Sequence, residues 1–142
     1  MPAEILLVED NPGDIRLMTE AFRRADSSVD LHVAYDGVEA LAFLRNQGDY
    51  LNAPRPDCIL LDLNLPKLDG REVLSQIKQD DNLKTIPTII LSSSVAEADI
   101  MESYRLHANC YLAKPAQLAD FDRVVKSLSD FWLTMVKLPV IH

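Results

Sequence analysis

The sequence has few cysteine, glycine and aromatic residues: two cysteines and four glycines stand among its 142 residues, and aromatic residues make up 6%. Cys58 and Cys110 each begin an apolar run, which favours buried, reduced thiols over a metal site. The apolar runs fall short of the roughly 18 residues of a membrane span, and no apolar segment of a signal peptide follows the N-terminus. These absences predict a soluble, cytoplasmic protein without a membrane partner.

Basic residues are also scarce. Lysine and arginine number 14 against 22 aspartates and glutamates, so the formal net charge is −8 and the sequence pI is about 4.7. The few basic residues are scattered along the chain, and the overall charge repels a phosphate backbone. We therefore expect no nucleic acid partner.

The chain does contain a regular alternation of short apolar runs with longer stretches of helical period. This pattern is typical of a parallel sheet with helices on both faces. We predict an α/β fold, namely a single doubly wound (βα)5 domain over 1–142 with a five-stranded parallel sheet of order 2-1-3-4-5. The predicted strands are 4–8, 30–34, 57–61, 87–91 and 109–112. The predicted helices are 12–25, 37–46, 70–80, 95–106 and 117–136, and the last leads into an apolar tail, so that helix and tail together span about 117–142.

Four segments carry the signals of a helix start. Asn11 stands before a proline, and Asp36, Asp69 and Ser94 each stand three residues before a glutamate. An N-cap residue occupies these positions in a capping box or before a proline at the first helical position. The signals agree with the apolar periodicity and support four of the predicted helices.

Reactive polar side chains follow four of the predicted strands: Glu9 and Asp10, Asp62, Ser92, and Lys114. In an open parallel sheet, ligands bind outside the carboxyl ends of the strands. The order 2-1-3-4-5 makes strands 1, 3 and 4 neighbours, so the acidic pair, Asp62 and Ser92 share one edge. Each of these residues alone is commonly a solvated loop residue or a helix cap. Their joint placement indicates a site.

The chemistry of this set indicates a metal-assisted phosphoryl site. Carboxylates close together repel one another unless a cation is present. Glu9, Asp10 and Asp62 offer the hard oxygen ligands that Mg²⁺ prefers, and Asn64 offers its backbone carbonyl. With the ion bound, Asp62 could attack a phosphoryl group, whose oxygens the Lys114 ammonium and a serine hydroxyl would bind.

The residues alone leave three interpretations open: a phosphoacceptor, a phosphatase with an aspartyl-phosphate intermediate, and a flavodoxin-like cofactor-binding module. Such phosphatases generally carry a general acid two residues after the nucleophile, where this chain has Asn64. The first βα turn is acidic and would repel a cofactor phosphate. Both features favour the phosphoacceptor.

Four segments in order, 8–11, 61–70, 87–92 and 111–115, resemble the receiver domain of two-component response regulators, and the resemblance extends over about 3–136. It implies a flavodoxin-like fold and phosphoryl transfer from a phosphohistidine of a sensor histidine kinase to Asp62, with Mg²⁺ as the cofactor. The implied metal ligands are Glu9, Asp10, Asp62 and the backbone carbonyl of Asn64. The other implied roles are a switch hydroxyl at Ser92, an aromatic switch at Tyr111, a phosphoryl contact at Lys114 and a cis peptide bond between Lys114 and Pro115.

A closer resemblance concerns the donor of the phosphoryl group. The long helix-to-strand connection 45–56, the phrase at 62–67 and the tail at 131–139 are similar to the regulators that partner cyanobacterial phytochromes. This similarity implies a phytochrome as the sensor kinase. The connection 45–56 is itself open to two interpretations, a plain surface insertion or a partner-recognition segment.

Output from such a domain passes through a protein surface to an unknown downstream protein, since no effector domain follows in this sequence. The last predicted helix carries an apolar stripe at spacings of three and four, which the apolar residues of the tail extend. We interpret the excess apolar surface as a homodimer contact, with packing on the protomer's own core as the alternative. The candidate contact residues are Phe121, Val125, Leu128, Phe131 and Trp132.

Overall fold

The computed structural model describes residues 3–25 and 28–139. Within them, strands and helices alternate from end to end. The strands are β1 (Ala3–Val8), β2 (Val29–Ala34), β3 (Cys58–Leu61), β4 (Thr88–Ser92) and β5 (Cys110–Ala113). The helices are α1 (Pro12–Ala25), α2 (Gly37–Leu44), α3 (Gly70–Gln79), α4 (Glu97–Arg105) and α5 (Leu118–Ser127), with a short 3₁₀ turn at Gly48–Tyr50. No helix in the described ranges is long and apolar enough to cross a membrane.

The strands form one parallel sheet of order β2-β1-β3-β4-β5, which confirms the predicted topology. β1 and β3 are aligned so that Val8 pairs with Leu61. β3 and β4 are aligned so that Leu61 pairs with Ile90. The chain that leaves β1, β3 and β4 therefore emerges at one edge of the sheet.

Two apolar cores lie on opposite faces of the sheet, because successive side chains of a strand point to opposite sides. Leu6 and Val8 of β1 face α2 and α3, together with the buried side chains of β3 at Ile59 and Leu61. The other face packs against α1 and α5, and its buried members are Ile5, Leu7, Met18, Ala21, Phe22, Cys58, Leu60, Ile89, Leu91, Phe121, Val125 and Leu128. Both faces of the sheet are thus covered, as the continuous apolar strands predict.

The helix starts follow the predicted caps at three positions. The side chains of Asn11, Asp36 and Asp69 accept hydrogen bonds from backbone N–H groups in the first turns of α1, α2 and α3. The prediction of Ser94 as the cap of α4 was wrong, because that helix begins at Glu97 after Ala96. The Ser94 hydroxyl instead donates to the carboxylate of Asp99, one turn into the helix.

The C-terminal helical segment differs from the single helix predicted over 117–136. α5 ends at Ser127, and a wider π-helical segment, Leu128–Met135, continues it to a hydrogen bond from Val136 N to Phe131 O at 2.8 Å. Phe131 is 52% exposed, next to the partly buried Trp132. Val140 and Ile141 of the apolar tail, and the side chains of Leu118 and Met135, lie outside the described residues.

Three of the five dimer candidates are largely covered within the protomer. Phe121, Val125 and Leu128 are buried in the protomer's own core against α1 and the sheet. Much of the apolar stripe of α5 therefore covers the sheet, while the π-helical end presents Phe131 outward.

The long connection before β3 is anchored to α2. The Asn46 side-chain amide donates to the carbonyls of Tyr50 and Ala53 at 3.1 and 2.8 Å. The Tyr50 hydroxyl donates to Glu39, and this hydrogen bond raises the pKa of Tyr50 to about 12. The connection is thus an ordered surface turn on the side of the sheet formed by β2 and α2, with Leu51 exposed at its tip.

Candidate functional site

The carboxyl edge of β1, β3 and β4 brings the predicted site residues together. Glu9, Asp62 and Ser92 are all buried there, although each is polar. Burying polar groups is costly unless they are hydrogen-bonded. Their partners therefore show how the site is held.

Asp62 leaves β3 through a tightly packed turn. Its backbone N–H donates to the carbonyl of Val8 at 3.1 Å, which extends the pairing of β3 with β1. Gly70, the first residue of α3, donates to the carbonyl of Leu63 at 2.8 Å. A Cβ at Gly70 would lie 2.1 Å from the carbonyl oxygen of Asp62, so the helix approaches this turn as closely as only glycine allows.

Asp62 is 7% exposed as a whole residue, and its carboxylate lies within the site. Its Oδ1 accepts from the backbone N–H of Asn64 at 3.3 Å, and its Oδ2 accepts from Lys114 Nζ at 3.3 Å. Both contacts are long for charge-assisted hydrogen bonds. The carboxylate is therefore oriented by its neighbours without being strongly held by any of them.

Glu9 is the most deeply buried acid of the site. Its Oε2 accepts from the backbone N–H groups of Asp10 and Asn11 at 3.0 and 3.2 Å, and its Oε1 accepts from Lys114 Nζ at 2.6 Å. Burial raises the pKa of Glu9 to about 7, and the charge of Asp62 adds to this effect against the lowering by Lys114. Three carboxylates, those of Glu9, Asp14 and Asp62, surround the single ammonium of Lys114, so the lysine compensates only part of their negative charge.

Lys114 lies at the centre of the carboxylates, just after β5. Its Nζ contacts Glu9 at 2.6 Å, Asp14 at 2.9 Å and Asp62 at 3.3 Å. Burial disfavours the charged ammonium, but the hydrogen bonds to Glu9 and Asp14 outweigh this cost, so the pKa of Lys114 is raised. The lysine is fully charged at neutral pH and neutralises part of the acidic cluster.

The peptide bond between Lys114 and Pro115 is trans, so the prediction of a cis bond is not met. A peptide bond before proline generally prefers trans by about 0.5–1 kcal/mol. The Lys114 N–H continues the strand pairing and donates to the carbonyl of Ser92 at 2.7 Å.

One group of acids among the described residues could hold a metal ion. Carboxylate oxygens of Glu9, Asp10 and Asp62 all lie within 4.8 Å of one another, and Asp10 is exposed to solvent. Three hard oxygen donors beside open water match the preference of Mg²⁺ for carboxylates and retained water ligands. The surplus negative charge of the site also favours a cation, so these residues fit a hard divalent ion.

Ser92 and Tyr111 are joined through the loop that follows β4. The Ser94 backbone N–H donates to Ser92 Oγ at 3.1 Å, and the Tyr111 hydroxyl donates to the Ser94 carbonyl at 2.8 Å. The Ser94 hydroxyl donates to Asp99, which also accepts from Arg71 at 2.8 Å. A displacement of Ser92 would therefore disturb contacts of Tyr111, α3 and α4 together.

Asp14 is the residue of this site that the sequence analysis missed. It lies in the first turn of α1, where acids are also favoured by the helix dipole, so its residue type gave no separate signal. Arg71 and Asp99 were missed for a similar reason, since each reads as an ordinary surface charge. Only the tertiary structure reveals their partners, since it brings Asp14 to Lys114 and Arg71 to Asp99.

The arrangement suits the acceptance of a phosphoryl group. It presents a buried carboxylate as a nucleophile, an ammonium and a hydroxyl that can bind phosphoryl oxygens, and oxygen ligands for a divalent cation. A carboxylate can attack an electrophilic phosphorus only when the negative charges around it are compensated. The lysine, together with a divalent cation held by the acidic group, would meet this requirement.

Comparison with known proteins gives the same picture. The family model for "Response regulator receiver domain" matches residues 5–126. The response regulator Rcp1 of Synechocystis sp. is 50% identical over 138 residues, which cover 97% of this chain and 94% of Rcp1.

The fold also matches solved structures over almost the whole length of this chain. The Mn²⁺-bound form of Rcp1 superposes with a TM-score of 0.91 at 50% identity, covering 98% of this chain and 100% of that chain. The phosphorylated cyanobacterial phytochrome response regulator RcpA gives a TM-score of 0.94 at 51% identity, covering 99% and 100%. A response regulator in red light signaling of R. palustris gives 0.92 at 37% identity, with 99% and 100% covered. This chain therefore belongs to the response regulator receiver domain family.

Proposed function

We propose that this chain carries a signal as a phosphoryl group on Asp62, received from the phosphohistidine of a sensor histidine kinase. The observation that supports this proposal most directly is the buried Asp62 carboxylate, 3.3 Å from Lys114 Nζ and within the acidic group of Glu9 and Asp10. Residues 1–142 act in this proposal as a single receiver domain with an extended C-terminal helix.

The transfer is a single displacement at phosphorus. A carboxylate oxygen of Asp62 forms the new P–O bond, the P–N bond of the phosphohistidine breaks, and the imidazole nitrogen leaves with the electron pair of that bond. Lys114 stays protonated and donates to an oxygen of the transferred group in place of its long contact to Asp62. The buried Ser92 hydroxyl donates to another of these oxygens.

The cofactor is Mg²⁺, with Glu9, Asp10, Asp62 and the backbone carbonyl of Asn64 as its protein ligands. When bound, the ion compensates the negative charge of the carboxylates and of the incoming phosphoryl group. Glu9 and Asp10 are presented by the turn after β1, where the Glu9 carboxylate itself accepts the N–H groups of the next two residues. This local hydrogen bonding fixes Glu9 before any ion arrives.

Mass spectrometry after incubation with Mg²⁺ and acetyl phosphate tests the phosphoacceptor. Wild type should gain one phosphoryl group and Asp62→Asn none. Asp57→Asn is the matched control, because Asp57 adjoins the opposite end of the same strand, where its carboxylate accepts from the backbone N–H of Glu4 in β1. Equal labelling of wild type and Asp62→Asn would contradict the proposal.

Phosphorylation would shift the equilibrium between two packings of the β4–α4 loop. When Ser92 turns to the phosphoryl group, it gives up the hydrogen bond from Ser94 N, and the Ser94 carbonyl that Tyr111 holds is released with it. A ligand shifts such an equilibrium only by its differential affinity, here on the order of a few kcal/mol. Ser92→Ala and Tyr111→Phe should therefore uncouple phosphorylation from chemical-shift changes in α4. Unchanged coupling in both variants would exclude this route.

The chain acts as a signalling protein and does not turn over phosphate esters. The residue two positions after Asp62 is Asn64, which cannot serve as the general acid of a phosphatase. Incubation with p-nitrophenyl phosphate should release nitrophenol no faster from wild type than from Asp62→Asn. A clear excess from wild type would indicate an enzyme.

The donor is a phytochrome histidine kinase in the cytoplasm. The similarity to Rcp1 and RcpA over nearly the full chain supports this donor. An autophosphorylated phytochrome kinase should transfer its phosphoryl group to this chain much faster than an unrelated histidine kinase does. Equal rates from both kinases would contradict the assignment.

The output form is a homodimer through the face formed by β5, α5 and the π-helical segment. Leu112, Val124 and Trp132 line an apolar groove there beside the exposed Phe131, whose ring stacks edge-on against Trp132 at 5.9 Å. Sedimentation velocity at micromolar concentration should give a dimer for wild type and a monomer for Phe131→Ser. Leu51→Ser removes another exposed apolar side chain, far from this face, and should stay dimeric. A wild type that is monomeric in both the phosphorylated and the unphosphorylated state would refute the dimer.

A further inference from the structure

Asp14 is held in the site by the start of α1. Its backbone N–H donates to the Oδ1 of the cap residue Asn11 at 3.1 Å, which fixes the first turn of the helix. From this turn its carboxylate reaches across the sheet edge, and Oδ2 accepts from Lys114 Nζ at 2.9 Å. The side chain of Asp14 is 24% exposed and that of Lys114 11%, so water competes little for this contact.

The Lys114 ammonium has three N–H donors, and three carboxylates accept them. The contact to Glu9 is the shortest at 2.6 Å, and the contact to Asp62 is the longest at 3.3 Å. The contact to Asp14 has an intermediate length of 2.9 Å. All donors are thus in use before any phosphoryl group arrives.

The three carboxylates would take different roles once a metal ion and a phosphoryl group are bound. Glu9 belongs to the acidic group that fits a metal ion, and Asp62 belongs to it and is also the proposed phosphoacceptor. Asp14 takes no part in that group. Its contact to Lys114 therefore lies outside the group that would hold the metal ion and the phosphoryl group.

We propose that Asp14 is a positioning residue that holds the Lys114 ammonium at the sheet edge, so that Lys114 binds the phosphoryl group formed on Asp62. This inference rests on the proposed phosphoacceptor function. A lysine has a long, flexible side chain, and ordering it costs conformational entropy. Asp14 orders it in the unphosphorylated protein, so the phosphoryl group meets a lysine that is already in place.

Beryllofluoride binding in the presence of Mg²⁺ tests the inference, because this reagent mimics a phosphoryl group on an aspartate. Asp14→Ala should weaken the affinity measured by calorimetry on the order of tenfold, since a charge-assisted contact of the lysine is lost. Asp14→Glu should restore part of the affinity. Glu20→Gln removes the same charge from α1 at a site paired with Arg24 and should bind like wild type.

A double-mutant cycle separates positioning from a structural effect. In the Lys114→Met background, Asp14→Ala should change the affinity no further, because the residue through which Asp14 acts is gone. An equal loss in both backgrounds would overturn the inference, as would wild-type affinity in Asp14→Ala. Tighter binding in Asp14→Ala would also overturn it and would mean that Asp14 competes with the phosphoryl group for Lys114.

A second measurement needs no phosphoryl group at all. If Asp14 orders the lysine, ¹³C relaxation of the Lys114 side chain should show more motion in Asp14→Ala than in wild type, and unchanged motion would refute the positioning role. Failure of the proposed function looks different. In that case wild type is not labelled by acetyl phosphate and does not bind beryllofluoride, whatever residue stands at position 14.

Discussion

Gly70→Ala tests how tightly the phosphoacceptor turn is built. The added Cβ would lie 2.1 Å from the Asp62 carbonyl oxygen, 2.6 Å from the Leu63 Cα and 2.8 Å from the Leu63 carbonyl oxygen. All three are main-chain atoms, so no flexible side chain can give way. Either α3 or the turn after β3 must move.

The size of the effect follows from these contacts. Overpacking of a well-packed interior costs typically about 1–3 kcal/mol, and the lack of any movable side chain puts Gly70→Ala at the upper end of that range, roughly 2–3 kcal/mol. For a domain of this size, such a loss lowers the Tm by roughly 6–12 °C. Displacement of the turn also misplaces the Asp62 carboxylate relative to Lys114. We therefore expect slower phosphorylation even at temperatures where the variant is fully folded.

Thermal unfolding followed by far-UV circular dichroism measures the first effect, and labelling by acetyl phosphate at 10–15 °C below the variant's Tm measures the second. Gly13→Ala is the matched control: it also changes a glycine in the first turn of a helix, but its Cβ would meet only the Asn11 side chain at 3.2 Å. Its Tm should stay within roughly 2 °C of wild type. If the two variants had the same Tm and the same labelling rate, the packing argument for Gly70 would be wrong.

Three further predictions concern residues away from the site. Burial raises the pKa of Cys58 to about 12, so in a Cys110→Ser variant this thiol should react with an aromatic disulfide reagent at pH 8 only after unfolding in urea. Labelling of that variant in its native state would contradict the burial of Cys58. Tyr50→Phe removes the hydrogen bond to Glu39 and should lower the free energy of unfolding, measured by urea titration, by about 1 kcal/mol. An unchanged urea midpoint would mean that this hydrogen bond contributes nothing to stability. Lys78→Met removes the ammonium that donates to two backbone carbonyls and should lower the free energy of unfolding by roughly 2 kcal/mol. Lys84→Met, at an exposed ion pair, should change it little. Equal effects of the two substitutions would refute this role of Lys78.

Much of this protein follows from local sequence signals. The period of the apolar residues distinguishes strands from helices, and Asn11, Asp36 and Asp69 start their helices because each offers an acceptor where the first turn has free N–H groups. The handedness of βαβ connections then limits the strand orders, which places Asp62 beside the acidic pair without any knowledge of side-chain contacts.

Contacts between distant segments were decided only by the tertiary structure. Lys114 lies 100 residues from Asp14 in the sequence, and no local pattern predicts that the ammonium contacts this acid more closely than Asp62. The sequence also could not show that Phe121 faces the core while Phe131 faces solvent. After Ser127 the α-helix becomes a π-helix, and this change of helical twist turns the later residues away from the face that packs on the sheet. Local hydrogen bonding and periodicity set which elements form and where they begin. The partners of a charged side chain depend on how those elements pack, because a charge responds to whatever lies within a few ångströms of it, however far away along the chain.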